Sequence, residues 1–307
     1  MTTGIVVRRM STHEEYEACV ALQRLTWGPE YDDCVPASLL KVTQRVGGIS
    51  AGAFDEAGRM IGFVYGLTGV ERGRLVHWSH MLAVRQEYRN RGVGRLLKEF
   101  QRAELRGMGV EVIYWTFDPL VARNAHLNLN RLGARVVEYV VDMYAPTGSP
   151  LHDFGTDRFV VAWPVEGGAG EARDGSGAGS AWSDAETWPV VNVAPATGQG
   201  SAGTVSGVGA GSRDGGEVEP AVVSEPGGGA GGGGVELGRS APGVRIEVPV
   251  DVEGMGDVAL ARAWRASTRA AFLEYLGKGY EVAAFRRIGD RCFYLLTAPG
   301  EGSASAA

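Results

Sequence analysis

At 307 residues, 44% of them hydrophobic, the chain is long enough for one large domain or two small ones and apolar enough for a real core. A net charge of −6 argues against a general nucleic-acid binder, because phosphate backbones require a basic face. Cys19, Cys34 and Cys292 are odd in number and lack C-x-x-C spacing, so they form neither a disulfide framework nor a zinc site. Residues 1–10 show no apolar signal-type region, and no run approaches the ~18 apolar residues of a membrane span. A cytoplasmic protein with no membrane and no nucleic-acid partner is expected.

The first elements alternate. Residues 5–8 read as a strand. Ser11 or Thr12 caps a helix, with Glu14 or Glu15 placed to complete a capping box, and Gly28-Pro29 ends it near Trp27. A second helix is predicted over 36–46, stopped by Gly47-Gly48. Strands at 49–54 and 60–68 form a hairpin through a Gly-bearing turn. A strand at 75–84 runs into a helix at 92–106, followed by an apolar strand at 110–117. A helix at 124–132 is closed by Gly133, and strands at 135–143 and 157–165 complete the series. The order is β-α-α-β-β-β-α-β-α-β-β.

Residues 166–243 hold about half of the chain's 47 glycines. Such a segment buries too little apolar surface to offset chain entropy and is expected to be a disordered linker. Trp182, Trp188-Pro189-Val190-Val191 and Val222-Val223 read as chance apolar islands in it. Residues 244–298 regain a pattern, β-α-β-β, with an apolar helix face carrying Trp264, Phe272 and Tyr275. A unit this small cannot bury that face alone. It is expected to dock on residues 1–165 at the open edge or splayed side of the sheet, bringing Tyr280 or Arg265 near an acceptor pocket; an independent interaction module is the alternative. Residues 299–307 read as a disordered tail.

The most informative stretch joins the strand end Leu82-Ala83-Val84 to the turn Arg89-Asn90-Arg91-Gly92-Val93-Gly94. A Gly-punctuated turn opening into a helix leaves unpaired backbone N–H groups aimed at one spot, and the helix dipole adds positive potential there. A phosphate or pyrophosphate suits such a spot. Spacing excludes two common motifs: G-x-x-x-x-G-K-[ST] is absent, and Leu97 stands where G-x-G-x-x-G needs a third glycine. What remains, Arg89-x-x-Gly92-x-Gly94, resembles the Q/R-x-x-G-x-G/A acyl-CoA motif of the GNAT acetyltransferases. A strand-turn-helix junction without a ligand is the alternative. The order of elements over residues 4–165 is similar to that family's fold from end to end.

The resemblance implies an α/β (α+β) fold: a mixed, mostly antiparallel sheet splayed between its fourth and fifth strands, helices on both faces, and here an added C-terminal β-α-β-β unit. It implies acetyl-CoA as acyl donor, no metal, and direct attack by the amine of a small-molecule acceptor. By the same resemblance, backbone at Leu82 and Val84 pairs with the pantetheine arm. The N–H groups of Arg91, Gly92, Val93, Gly94 and Arg95 hold the pyrophosphate, and Arg89 and Arg91 add charge, unless those arginines are simply a solvated surface. The base falls on or near the fourth strand. His80 is the first candidate, as base or substrate contact, because its pKa suits proton transfer near neutrality; a structural histidine is the alternative. Alternation would place His80 on the face of Leu82 and Val84, and Ser79 on the other. Asp118 is the second candidate, with helix capping as its alternative role.

The chain departs from the family at one place. The usual acid, a tyrosine four residues before the glycine closing the fourth helix, falls on Leu129. The family's helix-start Asn falls on Ala122, with Asn124 close by. Tyr144 or Tyr139 could substitute, the thiolate could leave unprotonated, or catalysis could be lost, leaving an acyl-CoA-binding scaffold. The acidic loop 28–33 weakly favours a cationic amine, with solvated loop charge as the stronger alternative. A homodimer is left open.

Overall fold

The computed structural model describes residues 4–145, 149, 152–166, 182, 184–192 and 240–299. Strands β1 (Val6–Arg9), β2 (Ile49–Phe54), β3 (Met60–Glu71), β4 (Arg74–Val84), β5 (Val112–Phe117), β6 (Arg135–Val140) and β7 (Arg158–Pro164) form one sheet in the order β1-β2-β3-β4-β5-β7-β6. Every pairing is antiparallel except β4 with β5. That parallel contact covers only Val76–Trp78 against Val112–Tyr114. Beyond Trp78 the two strands part.

Helices cover both faces. α1 (His13–Trp27) and α2 (Ala37–Arg45) lie on one, α3 (Val93–Arg106) and the short α4 (Ala122–Ala125) on the other. The capping box is Thr12 with Glu15: the Glu15 N–H donates to Thr12 Oγ1 at 3.3 Å, and the Thr12 N–H donates back to Glu15 Oε2 at 3.4 Å. β2 is buried along its whole length because it is sandwiched between the two helix layers, which explains its small residues Ser50, Ala51, Gly52 and Ala53. One core sits under α1 and α2, with Phe63, Tyr65 and Leu40. The larger core, under α3, contains Ile61, Leu97 and Ile113 and runs on into the C-terminal residues.

Those residues form a second sheet, β8 (Gly243–Val248), β9 (Glu281–Ile288) and β10 (Arg291–Thr297) in the order β8-β10-β9, with helix α5 (Val258–Gly277). The two parts share an aromatic cluster. Phe159 of β7 lies 4.8 Å, centroid to centroid, from Phe272 of α5, and both contact Tyr294 of β10 at 5.4 Å. Phe117 and Tyr139 complete it from the first sheet. Fully burying a side chain such as Phe272 contributes about 1.5–3 kcal/mol. Polar contacts fix the registration: Tyr294 Oη donates to the Pro119 carbonyl at 2.8 Å, and Asn130 Nδ2 donates to the Phe285 carbonyl at 2.9 Å.

Two local readings differ from expectation. The helix expected at 124–132 begins at Ala122 and passes into a π turn over His126–Arg131. Trp188 to Val191 are not chance islands. Val190 bridges Arg245 of β8, the Asn192 side chain exchanges hydrogen bonds with the Glu247 backbone at 2.7 and 2.9 Å, and the Trp188 ring lies on Gly243, where a Cβ would approach within 2.4 Å. Trp182 packs edge-on against Trp188. The rest of the expected linker, Val222-Val223 included, and nearly all of the expected tail lie outside the described residues. Among the described residues no helix is long and apolar enough to cross a membrane, and no cluster of side chains suits a metal ion.

Candidate active site

A cavity of about 240 Å³ opens where β4 and β5 part. Its β4 wall has an irregularity. Tyr65 pairs with Met81 and Gly66 with Ser79, so His80 is an extra residue bulged out of the ladder. The bulge breaks alternation, and Ser79, His80, Met81 and Leu82 all line the cavity. Ser79 is therefore not turned away, as regular alternation would require. His80 stands open to the cavity, edge-on to Tyr65. Surrounding protein holds its pKa below the ordinary histidine value, and Asp33 pulls the other way.

The Gly-turn lies beside the same opening. Asn90 (φ 61°) and Gly92 (φ 78°) are left-handed, and Gly92 is the N-cap of α3 with no side chain capping it. The first N–H groups of α3, from Val93, Gly94 and Arg95, therefore have no intrahelical acceptor. A Cβ on Gly94 would sit 3.7 Å from both Leu82 and Leu127, so the turn faces the gap between β4 and the helix after β5. Asn124 lines the cavity from that helix. The Val93 side chain is buried in the core, and Val84 packs against it.

The arginines point elsewhere. Arg89 Nε donates to the Val84 carbonyl at 3.3 Å, Arg91 lies over the Tyr88 ring, and Arg95 pairs with Glu99 at 2.7 Å. The turn thus presents backbone donors rather than side-chain cations.

Asp118 lines the opposite end of the cavity, but its oxygens are occupied. Oδ1 accepts from the Leu120 N–H at 2.8 Å; Oδ2 accepts from Arg265 Nη2 at 2.6 Å and Arg158 Nη1 at 3.5 Å. Both carboxylate oxygens are thus held by fixed donors on the cavity wall. Asp118 does not cap the helix, whose N-cap is Val121. Arg265 comes from α5, so the C-terminal unit does reach this wall. Tyr280 does not: it bonds the Ala241 backbone and lines a separate groove beside β6.

Leu129 also lines that groove and is buried next to the C-terminal unit. The neighbouring Asn128 faces the cavity instead and accepts from Trp115 Nε1 at 3.1 Å. Of the substitute tyrosines, Tyr144 lines the cavity, its hydroxyl 2.9 Å from Thr116 Oγ1. Tyr139 is bonded to Asp157 and lies in the other groove, its pKa pushed up by burial.

Lys98 of α3 escaped the sequence reading. It is buried, donates to Ser79 Oγ at 2.7 Å, and rests 3.8 Å from the centre of the Trp115 ring. No carboxylate pairs with it among the described residues, and burial drives its pKa well down. Beside it, His77 is held neutral by burial, its pKa lowered to about 3, between Thr68 and Gln101. A signal existed: the buried stripe of α3 is Val93, Leu97, Gln101 and Leu105, and Gln101 and Lys98 put polar groups on or beside it.

Residues 16–133 match the family model described as acetyltransferase (GNAT) family. This part of the chain is a GNAT-family acetyltransferase domain. The chain is similar to the ribosomal-protein-S18-alanine N-acetyltransferase from Escherichia coli, at 18% identity over 54% of this chain and 97% of that one, with a TM-score of 0.40. It is also similar to yncA, a putative acetyltransferase from Salmonella typhimurium solved with its cofactor acetyl-CoA, at 15% identity over 54% and 97%, TM-score 0.42. A third similar structure is Arabidopsis thaliana NAA60 with a bisubstrate analogue, at 16% identity over 52% and 97%, TM-score 0.43. No curated protein sequence matches the chain.

Proposed function

We propose that the protein transfers an acyl group, with acetyl-CoA as donor, to the amine of a small molecule. One observation carries this reading: an uncapped helix N-terminus stands beside a cavity opened by two parting strands. The free N–H groups of Val93, Gly94 and Arg95 receive the pyrophosphate. The β5-facing edge of β4 beyond Trp78, including Leu82, offers backbone groups to the amides of the pantetheine arm, with the Val84 carbonyl already bonded to Arg89. The thioester then reaches the cavity between Ser79 and Asn124.

His80 takes the proton from the attacking ammonium. Its lowered pKa keeps it unprotonated at neutral pH, as a base must be. The amine attacks the thioester carbonyl, and the C–S bond breaks as the C–N bond forms. Lys98 in its ammonium form, made a stronger acid than a free lysine by burial, donates to Ser79 as the Ser79 hydroxyl passes its own proton to the leaving thiolate, the role that Leu129 cannot fill. Calorimetry with acetyl-CoA, followed by thiol release across an amine panel, tests the reading. Binding plus amine-dependent thiol release is expected; a protein that binds no acetyl-CoA overturns it.

A further inference from the structure

We propose that the acceptor bears a carboxylate as well as the amine it presents, and that Arg158 reads that carboxylate. The inference rests on the cavity being the acyl-transfer site and names the class of acceptor that fits it.

Arg158 opens β7, which pairs with the end of β5. Its side chain is 10% exposed and lines the cavity. Nη1 donates to the Asp157 carbonyl at 2.9 Å and to Asp118 at 3.5 Å. Nε and Nη2 have no acceptor among the described residues, and the guanidinium lies over the Tyr144 ring at 5.4 Å. That open planar edge matches a carboxylate in bidentate geometry.

The charge balance agrees. Arg158 and Arg265 share the single carboxylate of Asp118. Asp157 and Asp142 both pair with Arg269, and Glu253 on the cavity wall pairs with Arg123. Among so many fixed carboxylates the Arg158 edge suits a monoanion; a phosphate dianion would add a further charge next to Asp118. Asp33 also lines the cavity, exposed and without a hydrogen bond or ion pair among the described residues, close enough to His80 to act on its charge. Trp27 and Tyr31, stacked at 5.6 Å, line the space on that side. A cavity of about 240 Å³ that offers both a guanidinium edge and a free carboxylate fits a small zwitterion of amino-acid type.

The experiment uses the full chain with coenzyme A present. Binding of α-amino acids, their methyl esters, the matching decarboxylated amines and the matching aminophosphonates is followed by saturation-transfer NMR, and acetyl-CoA affinity is measured separately. The acids are expected to bind about tenfold or more tighter than the esters and amines. Arg158→Gln should erase that preference and Arg158→Lys keep part of it, with acetyl-CoA affinity unchanged. The wild-type comparison alone decides the matter if a variant does not fold. Acids that bind no better than esters, or do not bind, overturn the proposal while acetyl-CoA binding leaves the acyl-transfer reading intact; tighter binding of the phosphonates also overturns it. Preferred binding of the acids without any acetyl-CoA affinity would support the anion site and sink the acyl-transfer reading.

Discussion

The two ends of the cavity are built from different materials. The donor end is contiguous, Val84 to Arg95, and works through backbone: its glycines set the turn, its N–H groups point outward, and its arginines are engaged elsewhere. On the reading proposed above, the acceptor end is assembled from Asp33, His80, Asp118, Arg158 and Arg265, five side chains far apart in the chain, of which the last three are tied by buried ion pairs. A backbone site tolerates change in most of its side chains but no bulk at its glycines. A side-chain site of this kind depends on every partner that neutralises the next.

Four experiments break or sharpen that contrast. The largest effect is expected for Arg265→Met. Removing one partner of a buried pair costs about 3–5 kcal/mol, and Arg158 remains to hold Asp118, so the low end applies. Urea unfolding should show the loss while acetyl-CoA affinity stays at the wild-type value; equal damage to donor binding would erase the distinction between the two ends. Gly94→Trp is the reverse case. Its side chain would fill the gap between Leu82 and Leu127, and acetyl-CoA affinity should fall about a hundredfold, about 2.7 kcal/mol, with unfolding little changed. Gly94→Ala, whose Cβ makes only ordinary contact, should bind normally.

Lys98→Met should slow kcat about tenfold, about 1.4 kcal/mol, leaving acetyl-CoA affinity and stability near wild type, because a similar-sized apolar chain replaces an unpaired buried amine. A large loss of stability would make Lys98 a structural residue instead. The smallest effect is a displacement of the pH profile. His80 acts unprotonated, and its folded pKa is depressed, so the acid limb of kcat/KM should lie below the ordinary histidine value near 6.5 and vanish in His80→Gln. A limb above that value would assign the base elsewhere.

Much of the first sheet was legible because its cues are local. The Thr12–Glu15 box, the Gly28 stop, the hairpin at 55–58 and the Arg89–Gly94 turn each act within a few residues. The acceptor wall was not legible, because it depends on pairings across the fold: Arg158 meets Asp118 through strand register, and Arg265 meets it through helix docking. The bulge at His80 was hidden for a related reason. It is a mismatch between two strands, and neither strand shows it alone; Gly66, where a Cβ would lie 2.2 Å from His77, marks the place only afterwards. Trp188 was misread because a single apolar stretch in Gly-rich sequence has no periodicity to announce β8 as its partner.

The pair between Asp118 and Arg265 spans 147 residues of sequence, and that distance has a temporal meaning. During synthesis the Gly-turn and both parting strands emerge from the ribosome well before α5 does. A nascent chain can assemble its donor end early, yet the acceptor wall stays electrostatically incomplete until Arg265 arrives. On the reading proposed above, chains interrupted before that point would hold donor without an acceptor seat.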